Sequence, residues 1–391
     1  MSTRQFIIAD YTAYKLTTTN TILHKRITPS LRPDLEDLIQ FISTPPKSPS
    51  EIKSAASKIE HRDLPQKIKA AREAGNTHHA AELQAILDAA AHGDTDFIVH
   101  LATNLSKTPT EWGVYHHPPT DHKISKIWVD AGNLYQLRRE RGHSTIYSLS
   151  GHQQLISSIG NNDIIGRGKL WLKVNADTND VEWHGEHDSK NVWQFGIERP
   201  RFPEQTPSNP AEAKKHLLKS SGPEIYHVTE NEGIVEYNLT GRNPRAEFFG
   251  SFGAGDCESA TGWSVHDSVV YWIIKDQLVC SSKEVNEVRK PYDVVPWRIY
   301  DGSAGCFVVA VNGFIFVYNR EKKVIEWTKT VKQDRMTWGE EKPVWEKFEN
   351  WDGDNVDELV ISAGAADNAH VLGVRDGDDI KFYSIEDVCK I

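Results

Sequence analysis

Residues 350–361, NWDGDNVDELVI, set side-chain oxygens from Asn350, Asp352, Asp354 and Glu358 at relative positions one, three, five and nine. Gly353 sits between the second and third of them. Oxygens spaced two residues apart along a tight loop can converge on one hard cation. Calcium takes about six to eight oxygen ligands, and the carbonyl of Val356 could add one. An EF-hand would continue as a helix with a glutamate at its twelfth position; here the apolar strand Leu359-Val360-Ile361 follows instead. The expected cofactor is a structural Ca2+ pinning that strand. The competing reading is a metal-free acidic turn, because Asn350 contributes a carbonyl oxygen in place of a carboxylate.

Two hairpins share a second pattern. In LWLKVNADTNDVEW, Trp171 opens and Glu182-Trp183 closes; in IYHVTENEGIVEY, Tyr226 opens and Glu236-Tyr237 closes. Each joins an aromatic strand through a polar turn to a glutamate beside an aromatic ring. Aromatic faces carry sugar rings and cations, but twelve tryptophans also suit the wide gaps between sheets. Histidines collect at His116, His117 and His122, and again at His184 and His187 beside Glu186 and Asp188. Either group could ligate a transition metal, although neither has the HExxH spacing. No GxSxG motif is present, and GSFGAGD, residues 250–256, lacks the lysine of a phosphate loop.

The elements around these residues are short strands. Hairpin signals fall near Tyr11 and near residues 132, 177, 232, 276, 312 and 377. Asn312-Gly313 is the strongest two-residue turn among them. A repeat of about 40–50 residues is the blade period of β-propellers. Residues 33–107 break this pattern with Ala, Lys, Glu and Leu at helical spacing. Ser48, Pro49 and Glu51 form a capping box with proline at the first helical position. The fold class is therefore mainly β: a single propeller of about seven blades. Its first strands lie in 1–32, an α-helical insertion in 33–107 and the remaining blades in 108–391. The insertion is expected to bury a core of its own. A multi-domain β-sandwich is the competing fold. Residues 199–223 read as a polar excursion with a short helix, AEAKKHLLK.

Two resemblances follow from these residues. The acidic loop before a buried strand, 350–361, resembles the calcium loops of integrin-type FG-GAP/VCBS propeller repeats. The aromatic-glutamate hairpins are similar to those of fungal propeller lectins. That likeness implies that Glu182 and Glu236 accept hydrogen bonds from sugar hydroxyls while Trp183 and Tyr237 stack. The arginine of the lectin pattern does not recur at a fixed offset here.

The net charge is -10, with no dense Lys/Arg stripe, which disfavours nucleic acid as a partner. No apolar run reaches the roughly 20 residues of a membrane span. The start, MSTRQFIIADY, lacks the apolar stretch of a secretory signal, so a cytoplasmic location is expected. The four cysteines form no CxxC pair and suit buried thiols in a reducing compartment. The leading function is the binding of a glycan or another small polar ligand. The alternatives are a propeller enzyme acting on a sugar or secondary metabolite, and a protein-interaction scaffold that uses the helical insertion.

Overall fold

A computed structural model of the chain describes residues 2–9, 11–27, 33–43, 47–60, 69, 96–119, 122–130, 133–140, 142–149, 153–159, 162–167, 170–175, 181–187, 191–196, 217–221, 224–229, 233–238, 245–250, 260–266, 269–282, 297–309, 313–330, 343–349, 351–361, 371–385 and 389; the strands between 153 and 266 are described by backbone and register.

Among the described residues, seven antiparallel sheets follow one another along the chain, each a meander of consecutive strands. Sheet one holds β1 (Thr3–Ala9), β2 (Thr12–Thr17), β3 (Ile22–Arg26) and β4 (Gly113–His116). Sheet two holds β5 (Lys123–Asp130), β6 (Asn133–Glu140), β7 (His143–Ser148) and β8 (Gln153–Ile159). Sheet three holds β9 (Asn162–Arg167), β10 (Leu170–Asn175), β11 (Val181–His187) and β12 (Asn191–Gly196). Sheet four holds β13 (Leu217–Ser221), β14 (Glu224–Thr229), β15 (Gly233–Asn238) and β16 (Arg245–Gly250). Sheet five holds β17 (Ala260–His266), β18 (Val269–Ile274), β19 (Gln277–Ser282) and β20 (Trp297–Arg298). Sheet six holds β21 (Ala304–Val309), β22 (Phe314–Asn319), β23 (Val324–Lys329) and β24 (Glu346–Lys347). Sheet seven has three strands among the described residues: β25 (Glu358–Ile361), β26 (Val371–Asp376) and β27 (Asp379–Ser384). First strands of neighbouring sheets pack together: β9 with β13, β17 with β21, β21 with β25, and β1 with both β5 and β25.

The described core lies between sheets, where a strand such as β22 uses both of its faces. Along β22, Phe314, Phe316 and Tyr318 pack toward sheet seven, while Ile315 and Val317 pack toward sheet five. Alternation of side chains across the pleat makes this possible and explains why FIFVYN reads as one continuous apolar run. Burying each such side chain contributes about 1.5–3 kcal/mol.

Turn chemistry sets the hairpins. Gly313 at φ 86° supplies the left-handed position before β22. The turn expected at Asp276-Gln277 falls one residue earlier, on Lys275 and Asp276, both with positive φ. The expected helix AEAKKHLLK is contradicted over its last three residues. Leu217–Lys219 belong to β13, whose pairing with β14 satisfies their backbone.

The insertion enters between β3 and β4, inside sheet one. Its described helices are α1 (Pro33–Ser43), α2 (Pro49–Glu60) and α3 (Asp96–Lys107). The capping box forms as expected: the Ser48 N–H donates to Glu51 Oε2 at 2.7 Å, and the Glu51 N–H donates to Ser48 Oγ at 3.3 Å. The expected Asp94 cap and the helical runs between residues 61 and 93 lie outside the described residues, apart from Lys69.

The described helices share their core with the sheets. Leu35, Leu38, Ile39, Ala56, Leu101, Ala102 and Leu105 share one cluster with Phe6, Ile8 and Ala13 of sheet one and Val371 and Ile380 of sheet seven. Their apolar stripe is completed by the sheets. Arg26 fixes the end of α3 by donating from Nη1 to the Leu105 carbonyl at 3.2 Å. No described helix is long and apolar enough to cross a membrane.

Candidate functional site

The acidic loop lies between sheets six and seven, and most of its described oxygens face donors or cations of the protein. Lys381 Nζ donates to Asp352 Oδ1 at 2.8 Å and holds that carboxyl below its ordinary range. Lys323 Nζ stands 3.8 Å from Asp354 Oδ1, and Tyr318 Oη donates to the Asp354 carbonyl at 2.9 Å. The Val356 carbonyl faces Cys306 Sγ at 3.9 Å. Arg375, the cross-strand partner of Glu358, donates from Nε to Glu358 Oε2 at 3.0 Å. Its Nη1 lies 3.5 Å from Asp357 Oδ2, which also accepts from the Gly377 N–H at 2.8 Å. Asn350 lies outside the described residues.

The carboxylates of Asp352, Asp357 and Glu358 turn to cations of the β26–β27 hairpin rather than to a common centre. Among the described residues, no group of three or more His, Cys, Asp or Glu side chains could hold a metal ion. Gly353 has a packing reason: a Cβ there would stand 2.3 Å from Trp351 Cζ2. Trp351 is buried in the cluster between sheets six and seven.

The aromatic-glutamate hairpins lie in sheets three and four. In sheet four the register pairs Tyr226 with Glu236 and Ile225 with Tyr237. In sheet three it pairs Trp171 with His184, Leu172 with Trp183 and Lys173 with Glu182. Because faces alternate along a strand, Tyr226 and Glu236 share one face, as do Trp171 and Glu182. Trp183 and Tyr237 occupy the opposite faces.

The first histidine group gathers on Arg138 of β6, a residue the sequence reading did not single out. Arg138 is buried, and its guanidinium stands over the Tyr147 ring at 3.9 Å. It donates from Nη2 to His116 Nε2 at 2.9 Å and from Nη1 to His122 Nδ1 at 3.4 Å. With its oxygen turned toward the guanidinium, the Gln136 amide accepts from Nε at 2.8 Å. A guanidinium only donates, so in these two contacts the histidine nitrogens are the acceptors. His117 Nδ1 pairs with Thr21 Oγ1 at 3.1 Å. The second group places His184 and His187 on β11, and Asp188 lies outside the described residues.

Two further buried groups gave no sequence signal. Lys15 on β2 is buried with its ammonium 4.4 Å from the Trp112 ring centroid, and burial lowers its pKa. Tyr300 follows β20; its Oη donates to Glu326 Oε2 and accepts from Asn319 Nδ2 at 2.6 Å. Lys322 Nζ meets the second oxygen of Glu326 at 3.1 Å. Burial, with the bond to Glu326, pushes the Tyr300 phenol above its ordinary range. Only register and turn geometry assemble these groups, since their members are far apart in sequence or alternate with apolar residues.

Cys280 and Cys389 are buried free thiols and Cys306 is half-buried; burial pushes Cys306 up to about 12. Cys257 lies outside the described residues.

No protein-family model matches the chain, and no curated protein matches it. Among solved structures it is similar to the β-propeller domain of Cps50 (Swd1) from Myceliophteria thermophila, with 8% identity, a TM-score of 0.44, and 98% of this chain and 99% of that chain covered. It is also similar to Hsv2 from Kluyveromyces lactis, with 10% identity, a TM-score of 0.40, and 67% and 74% covered.

Proposed function

We propose that the seven sheets are the blades of one propeller and that the chain is a binding scaffold, with the helical insertion as its docking surface for a protein partner. The observation that supports this is the shared core of α1, α2 and α3 with sheets one and seven. A segment anchored in that way is held at a fixed place and orientation. Its outer positions are polar: Glu36, Asp37 and Gln40 on α1 and Lys53 on α2 are exposed.

The test is cross-linking mass spectrometry of the tagged protein in extract of its own cells, followed by the charge reversals Glu36→Lys, Asp37→Lys and Lys53→Glu together. The parent should cross-link to one recurrent partner through Lys47, Lys53 or Lys107. The variant should melt like the parent and lose that partner. A partner retained at parental level would overturn the docking role.

A second reading, a small polar ligand or glycan, is supported by the register that puts Tyr226 opposite Glu236 and Trp171 on the face of Glu182. A glycan array on the purified protein tests it. It requires a signal that falls at least tenfold in Glu236→Gln.

A further inference from the structure

We propose that Arg375 and Lys381 serve as the built-in cations of the acidic loop, so that sheet seven is held to it without calcium. The spacing of the loop's oxygens resembles that of a divalent-cation site, yet positive charge comes from the next hairpin. Three observations carry this inference.

First, Arg375 is placed by the sheet itself. It sits directly opposite Glu358 in the β25–β26 register, which brings its Nε to 3.0 Å from the carboxylate. The same guanidinium reaches Asp357 at 3.5 Å and donates to the Gly377 carbonyl at 3.2 Å. It therefore binds the loop and the β26–β27 turn at once. Its side chain is only 18% exposed, so screening is weaker there than at the surface.

Second, the backbone repeats the connection. The Asp357 N–H donates to the Arg375 carbonyl at 2.8 Å, and the Gly377 N–H donates to Asp357 Oδ2 at 2.8 Å. Asn355 adds a bond from Nδ2 to Asp357 Oδ1 at 3.3 Å. Asp357 thus has both carboxylate oxygens accepting protein hydrogen bonds.

Third, Lys381 covers the start of the loop. Its ammonium pairs with Asp352 at 2.8 Å and stands 5.6 Å from the centroid of Trp351, whose ring closes the cluster beneath. A divalent ion would have to displace Lys381 from Asp352 and Arg375 from Asp357 and Glu358. Each displaced cation would then lose a charge-assisted hydrogen bond.

The test compares thermal melts in millimolar CaCl2 and in EDTA, with metal analysis of the purified protein. The parent should melt at the same temperature in both solutions and contain no stoichiometric calcium. Arg375→Gln should melt lower than the parent and should acquire a rise in melting temperature with CaCl2, because Asp357 and Glu358 are released to a new cation. In Lys381→Met, the Asp352 carboxyl should titrate at higher pH than in the parent, as followed by carbon NMR. A parent melt raised by calcium or lowered by EDTA would overturn the inference, even if Arg375→Gln does not fold. So would an Arg375→Gln variant that melts like the parent and ignores calcium.

Discussion

Where sheet seven meets sheet one, the contact is made by Phe6, Ile8, Val371 and Ile380, and three helices complete it with Leu35 and Leu38, Ala56, and Leu105. Where sheet five meets sheet six, apolar residues are joined by a buried polar chain running from Asn319 through Tyr300 to Glu326. The first junction is held by area. Apolar contact is non-directional, so this junction depends on the amount of surface covered. The second is held by geometry as well. A phenol that must both donate and accept fixes the distance between its neighbours. Gly302 shows how tightly: a Cβ there would stand 2.4 Å from Asn319 Nδ2 and 2.6 Å from Tyr300 Oη. Asn319 is itself held in place, because its Oδ1 accepts from the N–H groups of Glu321 and Lys322 at 3.1 and 2.9 Å.

The largest expected effect breaks the first junction. Replacing residues 33–107 by a short flexible linker should abolish the cooperative melt, because it exposes Phe6, Ile8 and Ala13 together. A point version is Leu38→Ala, with an expected loss of about 2–5 kcal/mol in chemical denaturation. A linker variant that melts cooperatively near the parental temperature would mean that sheets one and seven close without the helices.

The second junction should respond less, and in a pH-dependent way. Tyr300→Phe leaves Asn319 and Glu326 without their shared phenol and should cost about 1–3 kcal/mol near neutral pH. The fold raises the phenol's pKa, so it holds its proton to higher pH folded than unfolded. That stabilising contribution is whole below about pH 10 and is lost as pH climbs through the folded value. Denaturation curves from pH 8 to 11 should therefore fall more steeply for the parent than for Tyr300→Phe. Parallel curves would assign the polar chain no linkage to stability.

The smallest effect lies within sheet one. His24 packs edge-on against Tyr115 and stacks near Tyr14, and burial lowers its pKa. A histidine held neutral contributes stability that is whole above about pH 6.5 and is lost as pH falls through the lowered folded value. His24→Phe should flatten the acid side of the stability profile by less than about 1 kcal/mol while leaving the alkaline side unchanged. An unchanged acid limb would point to other groups as the source of acid sensitivity.

One hairpin in each of the seven sheets was legible in the chain, because polar or glycine turns between apolar runs are local signals. Tyr11, Gly313 and Gly377 mark three of those turns with positive φ. The capping box at Ser48 and Glu51 was legible for the same reason, since its partners are three residues apart. The partner strands were less so. GVYH becomes β4 only by pairing with β3 across the whole insertion, and Leu217–Lys219 become strand where their neighbours suggested helix. In both cases long-range hydrogen bonding outweighs local preference.

The candidate site divides along the same line. Spacing alone brought Asp352, Asp354, Val356 and Glu358 into one loop, and composition alone marked the aromatic hairpins. Which residues answer those carboxylates was decided by the β25–β26 register, which sets Arg375 against Glu358, and by the hairpin that brings Lys381 to Asp352. Which aromatic shares a face with which glutamate was decided by the pairing of Tyr226 with Glu236. Side-chain type and short spacing are written in the chain, but the partner of a charge or a ring comes from strands that meet only on folding. A shift of one residue in register would exchange every such pair between faces.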